Sequence, residues 1–233
     1  VSDGLRFFLG VGTSFTGNAS NETMASMGGV GIDAAGGNDI LGLEEWATLS
    51  STLRGGAGDD TISGNYTDTF PWAHELYTHA MHVGRTDDVL DGGAGNDYIV
   101  FDLADTVTGG AGIDRLDGFA SMSRTSHVTG FDPDEDTLMI NLDPTTCTAA
   151  DGNFATGDVT WIRQGNVTTI RVDGHDVTVI ESVDPLVIGF QIEGNGLPTP
   201  WDDYPPHYVD INGNVVAEAD LDVIVNRFEN YFT

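Results

Sequence analysis

The sequence predicts an all-β protein whose larger part is a parallel β-roll, a stack of coils built from short strands. Three observations support this fold class. A nine-residue pattern recurs along the chain, 31 glycines allow many tight turns, and runs of alternating apolar and polar residues follow the repeats. Antiparallel strands are predicted to cap the roll, and a short loop and helix are predicted near the C-terminus.

The recurring pattern is G-G-x-G-x-D-x-U-x, in which U is a large apolar residue. Clean copies begin at Gly55, Gly92 and Gly109. The copy from Gly28 to Asp33 has the glycine loop without a large apolar residue. Other copies keep only part of the pattern, at residues 36–41, 83–91 and 105–107.

The residue types of the pattern indicate a calcium site. Glycine permits turns that bring backbone carbonyl oxygens to a common point, and the Asp adds a hard anionic oxygen. Because Ca²⁺ takes about six to eight oxygen ligands, one turn supplies half a cage and a stacked neighbour supplies the rest. A single copy would suit an ordinary turn equally well, but several copies favour calcium. The large apolar residues are predicted to form a narrow core: Ile62, Leu90, Ile99, Val107 and Leu116.

These nonapeptides resemble those of the repeats-in-toxin (RTX) family. The resemblance implies a right-handed parallel β-roll with calcium in its turns, export by a type I secretion machine, and folding in the calcium-rich medium outside the cell. The protein would then be extracellular or lie on the cell surface. By matching position, the resemblance implies several carboxylate ligands, together with the first glycine of each clean copy: Asp33, Asp39, Asp60, Asp88, Asp97, Asp105 and Asp114, with Gly55, Gly92 and Gly109.

The repeats divide the chain into four segments. A lead-in precedes the roll, the roll has two insertions, a strand-rich cap continues it, and a Pro-rich linker with a loop and helix ends the chain. The segments are 1–27, 28–125 with insertions at 43–54 and 64–82, 126–193, and 194–233.

The second insertion contains histidines and aromatic residues. His74, Glu75 and His79 have the spacing His-Glu-x-x-x-His, which is one residue longer than the zinc-protease motif. Either a transition-metal site or an aromatic-rich loop packed on the roll would fit this composition. The same loop is a candidate for contact with a ligand.

The cap is predicted from its hydrophobic pattern. Residues 127–142 indicate a strand, an acidic turn and a second strand, and they resemble the segment that follows the repeats in serralysin-type C-terminal domains. Three alternating runs, at 159–163, 167–172 and 177–180, are separated by turns containing glycine and predict antiparallel hairpins. A further strand is predicted at 187–192.

The C-terminal segment places oxygen-bearing side chains at alternate positions and resembles one half of a dockerin module. Val215 stands where such a loop has a turn glycine, and Leu221 stands where it has a bidentate acid. A helix is predicted to follow, because apolar residues from Leu221 to Phe228 recur at helical spacing. A plain capped helix without an ion is the alternative. The candidate ligands are Asp210, Asn212, Asn214 and Glu218.

The charge of the chain restricts its partners. With 37 acidic and 8 basic residues, the formal net charge is −29. Nucleic acid and anionic membranes would be repelled, whereas cations would be attracted. No apolar run is long enough to insert into a bilayer.

The sequence favours a secreted, calcium-stabilised module without catalytic activity, acting as a structural or binding protein. Two alternatives stay open: the export and folding domain of a larger secreted protease, lipase or polysaccharide-modifying enzyme, or a surface-layer or adhesin subunit. No His-Glu-x-x-His or Gly-x-Ser-x-Gly motif is present, and Cys147 has no catalytic partner nearby in sequence, so an enzyme is disfavoured. Self-assembly and binding to a cell-surface polymer or protein are the expected kinds of partnership beyond calcium.

Overall fold

The computed structural model describes residues 5–44, 47–64, 86–142, 158–192, 207–210 and 214–227. These residues contain twenty strands in two sheets and a 3-10 turn at Glu218–Asp220. In chain order the strands are β1 (Leu5–Leu9), β2 (Ser14–Thr16), β3 (Glu22–Ser26), β4 (Gly31–Asp33), β5 (Ile40–Leu43), β6 (Thr52–Ala57), β7 (Thr61–Ser63), β8 (Val89–Ala94), β9 (Tyr98–Phe101), β10 (Thr106–Ala111), β11 (Arg115–Ala120), β12 (Ser126–Phe131), β13 (Thr137–Leu142), β14 (Val159–Gln164), β15 (Val167–Val172), β16 (His175–Ser182), β17 (Ile188–Ile192), β18 (His207–Val209), β19 (Val215–Val216) and β20 (Val223–Arg227).

The predicted parallel roll is confirmed. The chain alternates between the two sheets, so that β1, β3, β5, β7, β9, β11 and β13 lie side by side in one sheet and β2, β4, β6, β8, β10 and β12 in the other. Every neighbouring pair in these two series is parallel. Val89 pairs with Thr106 and Tyr98 with Arg115, so this coil advances the chain by 17 residues.

Large apolar side chains from both sheets meet between the sheets. The five core residues expected from position eight of the repeats, which lie in β7 to β11, are all fully buried. Since side chains alternate along a strand, one apolar residue per strand suffices to fill so narrow a space. The stacked core residues of the other coils include Met24, Ile32, Leu41, Leu53, Val128 and Leu138.

The cap is also confirmed as strands. β14, β15 and β16 are antiparallel, and β16 then pairs in parallel with β12, which extends the second sheet. β12 and β13 flank the acidic turn at residues 132–136 and form one more coil. The strand predicted at 187–192 is β17, which pairs with β18 and β20.

The helix predicted after Leu221 is wrong, because residues Val223–Arg227 form strand β20. β20 lies between β13 and β17 and is parallel to both. Leu221, Val223 and Val225 are buried, so the apolar residues of this stretch follow the period of two of a strand. Backbone pairing on both sides and β-branched side chains favour the strand over the short helix. Within the residues that the structure describes, no helix is long and apolar enough to cross a membrane.

The copy from Gly28 to Asp33 is not in the register that the sequence predicted. Ile32 is a core residue that pairs with Leu53, and Asp33 lies on the outer face of β4, where it is exposed. The nonapeptide pattern treats this Asp as position six, but the backbone pairing places it at the end of a strand.

Candidate metal sites along one edge of the roll

Repeated turns connect the second sheet to the first along one side of the roll. We call this side the glycine edge, made of residues 17–22, 34–39, 55–60, 92–97, 109–114 and 132–136. Gly95 shows why glycine is needed there: its φ is 143°, and a Cβ on it would lie 1.9 Å from the carbonyl oxygen of Gly58 in the preceding coil. Only a residue without a side chain lets the coils approach so closely.

A column of acidic residues runs along the glycine edge, one per coil. The first five coils are linked in the same way: the backbone N–H of each acidic residue donates to Oδ1 of the Asp in the next coil, over 2.6 to 3.0 Å. All of these residues are buried. The column is Glu22, Asp39, Asp60, Asp97, Asp114 and Asp136.

The second carboxylate oxygen of most members of the column is buried without a hydrogen bond. Among the described residues this holds for Oδ2 of Asp39, Asp60, Asp97 and Asp114. Asp136 differs, because its Oδ2 accepts the backbone N–H of Asp132 at 2.9 Å. Burying a carboxylate oxygen without a hydrogen bond raises the free energy of the folded state. A row of such oxygens therefore favours a bound cation.

Backbone carbonyls of the next coil face the same space as these oxygens. A Cβ on Gly55 would lie 2.1 Å from Oδ2 of Asp60 and 2.7 Å from the carbonyl oxygen of Gly92. The equivalent point at Gly92 is 2.3 Å from Oδ2 of Asp97 and 2.5 Å from the carbonyl oxygen of Gly109. The glycine at position one therefore leaves a space, which we call the cradle, where a carboxylate oxygen and a carbonyl oxygen of the next coil converge.

Burial shifts the acid–base behaviour of the column. Desolvation raises the pKa of Asp39 and of Asp60 to about 6 and that of Asp97 to about 7. The N–H donated to Oδ1 opposes the shift in pKa, and the charges of neighbouring acids in the column add to it. Desolvation also raises the pKa of Asp114. Each shift reflects a charge that the protein alone does not balance.

The opposite edge, made of residues 47–51, 86–88 and 102–105, has a different arrangement. Asp88 accepts the N–H of Ser51 at 2.6 Å on Oδ1 and the hydroxyl of Thr86 at 2.9 Å on Oδ2. Asp105 accepts the N–H of Asp88 at 2.9 Å on Oδ1 and that of Asp102 at 3.0 Å on Oδ2. Both carboxylates are thus satisfied by protein donors, and the prediction that they bind calcium stays a prediction.

Among the candidate ligands of the C-terminal loop, Asp210 and Asn214 contact each other. Asp210 accepts the backbone N–H and the side-chain amide of Asn214, both at 2.8 Å, and these bonds close the hairpin between β18 and β19. Glu218 is exposed in the 3-10 turn. Asn212 and the histidine-containing insertion, apart from residue 64, lie outside the described residues.

Two members of the column were missed by sequence reasoning. Glu22 stands 17 residues before Asp39 and has Glu where the pattern requires Asp. Asp136 ends an acidic turn that has none of the glycines of the pattern. The spacing from one coil to the next is the signal that could have found Glu22.

The donor atoms of the glycine edge fit a hard cation. In the described part of the chain, no group of three or more His, Cys, Asp or Glu side chains converges as a zinc site would require. Each coil instead offers one carboxylate oxygen and backbone carbonyls, the oxygen ligands that Ca²⁺ prefers.

The fold and the donor set define a calcium-binding parallel β-roll. A sequence model of the RTX calcium-binding nonapeptide repeat (4 copies) matches residues 50–67, 81–103 and 101–121. The chain therefore contains RTX repeats, and repeats of this family bind Ca²⁺ at multiple sites. No curated protein matches the chain.

Proposed function

We propose that this chain is a secreted, calcium-stabilised module that acts outside the cell or on its surface as a structural or binding protein, without catalytic activity of its own. The row of buried, unpartnered Oδ2 atoms along the glycine edge carries the proposal. Secretion is supported by the repeats, because proteins that contain RTX repeats are typically exported.

The proposed ligands are Oδ2 of Asp39, Asp60, Asp97 and Asp114, with backbone carbonyl oxygens of the glycine turns. The carboxylate of one coil and a carbonyl of the next would share an ion, as the cradles at Gly55 and Gly92 indicate. A shared ion links two coils, so each bound ion favours the next stacking step.

Calcium would control folding through linkage. An ion that binds only the stacked coils stabilises them, and the acidic chain without ions should be expanded. Sites of this ligand composition in extracellular modules have dissociation constants of about 10⁻⁴ to 10⁻³ M. With such affinities the chain would be expanded at the calcium concentration inside the cell and compact at the calcium concentration outside it.

A calcium titration followed by far-ultraviolet circular dichroism tests the proposal. Asp97→Asn retains an Oδ1 acceptor for the N–H of Asp60 but replaces the charged, unpartnered Oδ2 with an NH₂ group that cannot bind a cation. We expect the calcium concentration at the transition midpoint to rise about three- to tenfold, because the charge of the ligands sets calcium affinity.

Asp33→Asn is the matched control, since it removes the same charge from an exposed position outside both edges. Its midpoint should stay close to that of the unmodified protein. Equal midpoints for Asp97→Asn and Asp33→Asn would contradict the proposed ligand set. A β-sheet signal that is the same in excess chelator and in calcium would contradict calcium-dependent folding itself.

A further inference from the structure

The first turn of the glycine edge lies outside the matched repeats and departs from the nonapeptide pattern. Its sequence, Gly17-Asn-Ala-Ser-Asn-Glu22, lacks most of the glycines and ends in Glu. The pairing of Thr23 with Ile40 nevertheless places Glu22 at the position that Asp39 occupies in the next coil. Glu22 thus begins the acidic column.

The surroundings of Glu22 repeat those of the candidate calcium ligands. Glu22 is 2 % exposed, and its Oε2 makes no hydrogen bond among the described residues. A Cβ on Gly17 would lie 2.8 Å from Oε2 of Glu22 and 2.4 Å from the carbonyl oxygen of Ala34 in the next coil. The cradles at Gly55 and Gly92 hold the same pair of atoms, one carboxylate oxygen and one carbonyl of the following coil.

Other contacts fix the Glu22 side chain in this position. The side-chain amide of Asn18 donates to Oε1 of Glu22 at 2.8 Å. Asn18 is in turn oriented by Ser20, whose N–H and hydroxyl both donate to Oδ1 of Asn18. The backbone N–H of Glu22 donates to Oδ1 of Asp39 at 2.6 Å. One oxygen of the carboxylate is therefore held by the protein, and the other is directed into the cradle.

We propose that Oε2 of Glu22 and the carbonyl oxygen of Ala34 bind a further calcium ion between the first and second coils. The inference rests on the proposed function, because it assumes that the cradles of the glycine edge hold calcium. The site links the end strands β1 and β2 to the rest of the roll, since among the described strands β1 and β2 each pair with one neighbour. Calcium would then order the terminal coil as well as the repeats.

Ion counting by native mass spectrometry at saturating calcium tests this site. Glu22→Gln keeps the length of the side chain and an oxygen that accepts the Asn18 amide, but it places an NH₂ group, which cannot bind a cation, where Oε2 was. We expect Glu22→Gln to bind one ion fewer than the unmodified protein, or to bind that ion about tenfold more weakly, and to retain the others. Asp33→Asn should bind the full number.

The outcomes separate this inference from the proposed function. If the unmodified protein binds several ions and Glu22→Gln binds the same number with the same affinities, the Glu22 site is wrong and the proposed function stands. If the unmodified protein binds no calcium, both fail. Should Glu22→Gln not fold, crystals of the unmodified protein grown in calcium decide the matter: a map without an ion contacting Glu22 Oε2 and the Ala34 carbonyl at about 2.3 to 2.6 Å would overturn the site.

Discussion

Asp60 and Asp97 each divide their two carboxylate oxygens between two neighbouring coils. In Asp97, Oδ1 accepts the N–H of Asp60 from the coil before, and Oδ2 faces the carbonyl oxygen of Gly109 in the coil after. The first contact holds the coils in register without an ion. The second oxygen loses its hydration on burial and gains no protein donor, so a cation would couple ion binding to stacking through one side chain.

The glycine at position one can be tested apart from the carboxylate. Gly92 does not have a positive φ, so alanine there changes the available space and not the backbone conformation. Its Cβ would occupy the cradle, 2.3 Å from Oδ2 of Asp97 and 2.5 Å from the Gly109 carbonyl. We expect Gly92→Ala to raise the calcium midpoint in circular dichroism at least as much as Asp97→Asn.

Gly10→Ala provides the control, since a Cβ on Gly10 would meet nothing within 4 Å. It should leave the calcium midpoint unchanged. A Gly92→Ala protein with the same midpoint as Gly10→Ala would show that the ion does not lie in the cradle.

At the scale of elements, the two edges of the roll differ in how their buried carboxylates are hydrogen-bonded. On the glycine edge a carboxylate is left with one unpartnered oxygen. On the opposite edge the short turn at residues 102–105 folds back so that the N–H of Asp102 reaches Oδ2 of Asp105. Burial and the charges of Asp102 and Asp88 raise the pKa of Asp105. Hydrogen bonds from backbone N–H groups and from the Thr86 hydroxyl thus stabilise Asp88 and Asp105 there, as a cation is proposed to stabilise the carboxylates of the other edge.

Asp105→Asn tests that difference. An amide in place of the carboxylate would direct an NH₂ group at a backbone N–H, and a buried hydrogen bond would be lost. Urea unfolding at saturating calcium should show a loss of about 2 to 3 kcal/mol in the free energy of unfolding, with the number of bound ions unchanged.

Asp91→Asn is the comparison for charge, because Asp91 forms only a partly exposed ion pair with Arg54 at 3.6 Å. Surface pairs of this kind contribute little, so its stability should change much less than that of Asp105→Asn. Loss of a bound ion in Asp105→Asn would instead assign Asp105 to a calcium site, as the repeat pattern predicts.

For the whole molecule, the acidic column makes stability depend on pH in the absence of calcium. Burial raises the pKa of Asp39, Asp60 and Asp136 to about 6 and that of Asp97 to about 7, from an ordinary value of 3.8. The unfolded chain therefore loses these protons at lower pH than the folded chain does. The stability contributed by the protonated groups is complete below pH 3.8 and is lost as the pH rises through 6 to 7.

In chelator, the folded fraction measured by circular dichroism should decrease as the pH rises from about 4 to about 7, because these carboxylates lose their protons over that range. Calcium replaces the protons, so the calcium midpoint should fall over the same range, and calorimetry in buffers of different ionisation enthalpy should detect proton release on binding. Stability in chelator that rises steadily across this range would contradict the burial of uncompensated carboxylates.

The sequence by itself determined the roll and its core. Glycines at fixed positions permit closely stacked turns, and one large apolar residue per repeat fills the narrow space between two sheets. The repeat pattern was therefore sufficient to predict the core residues Ile62, Ile99 and Leu116. The alternating runs of the cap were predictable for the same reason, because period two is a local property of a strand.

Tertiary structure alone decided which carboxylates keep an unpartnered oxygen, because their hydrogen-bond donors come from neighbouring coils or turns. Asp97 and Asp105 were both predicted as ligands from their place in the repeats, yet only Asp105 receives a second N–H. Pairing between distant parts of the chain likewise placed Glu22 in the column and made β20 a strand between β13 and β17. A short apolar run fits either a helix or a strand, and its partners, which lie far away in sequence, determine which one forms.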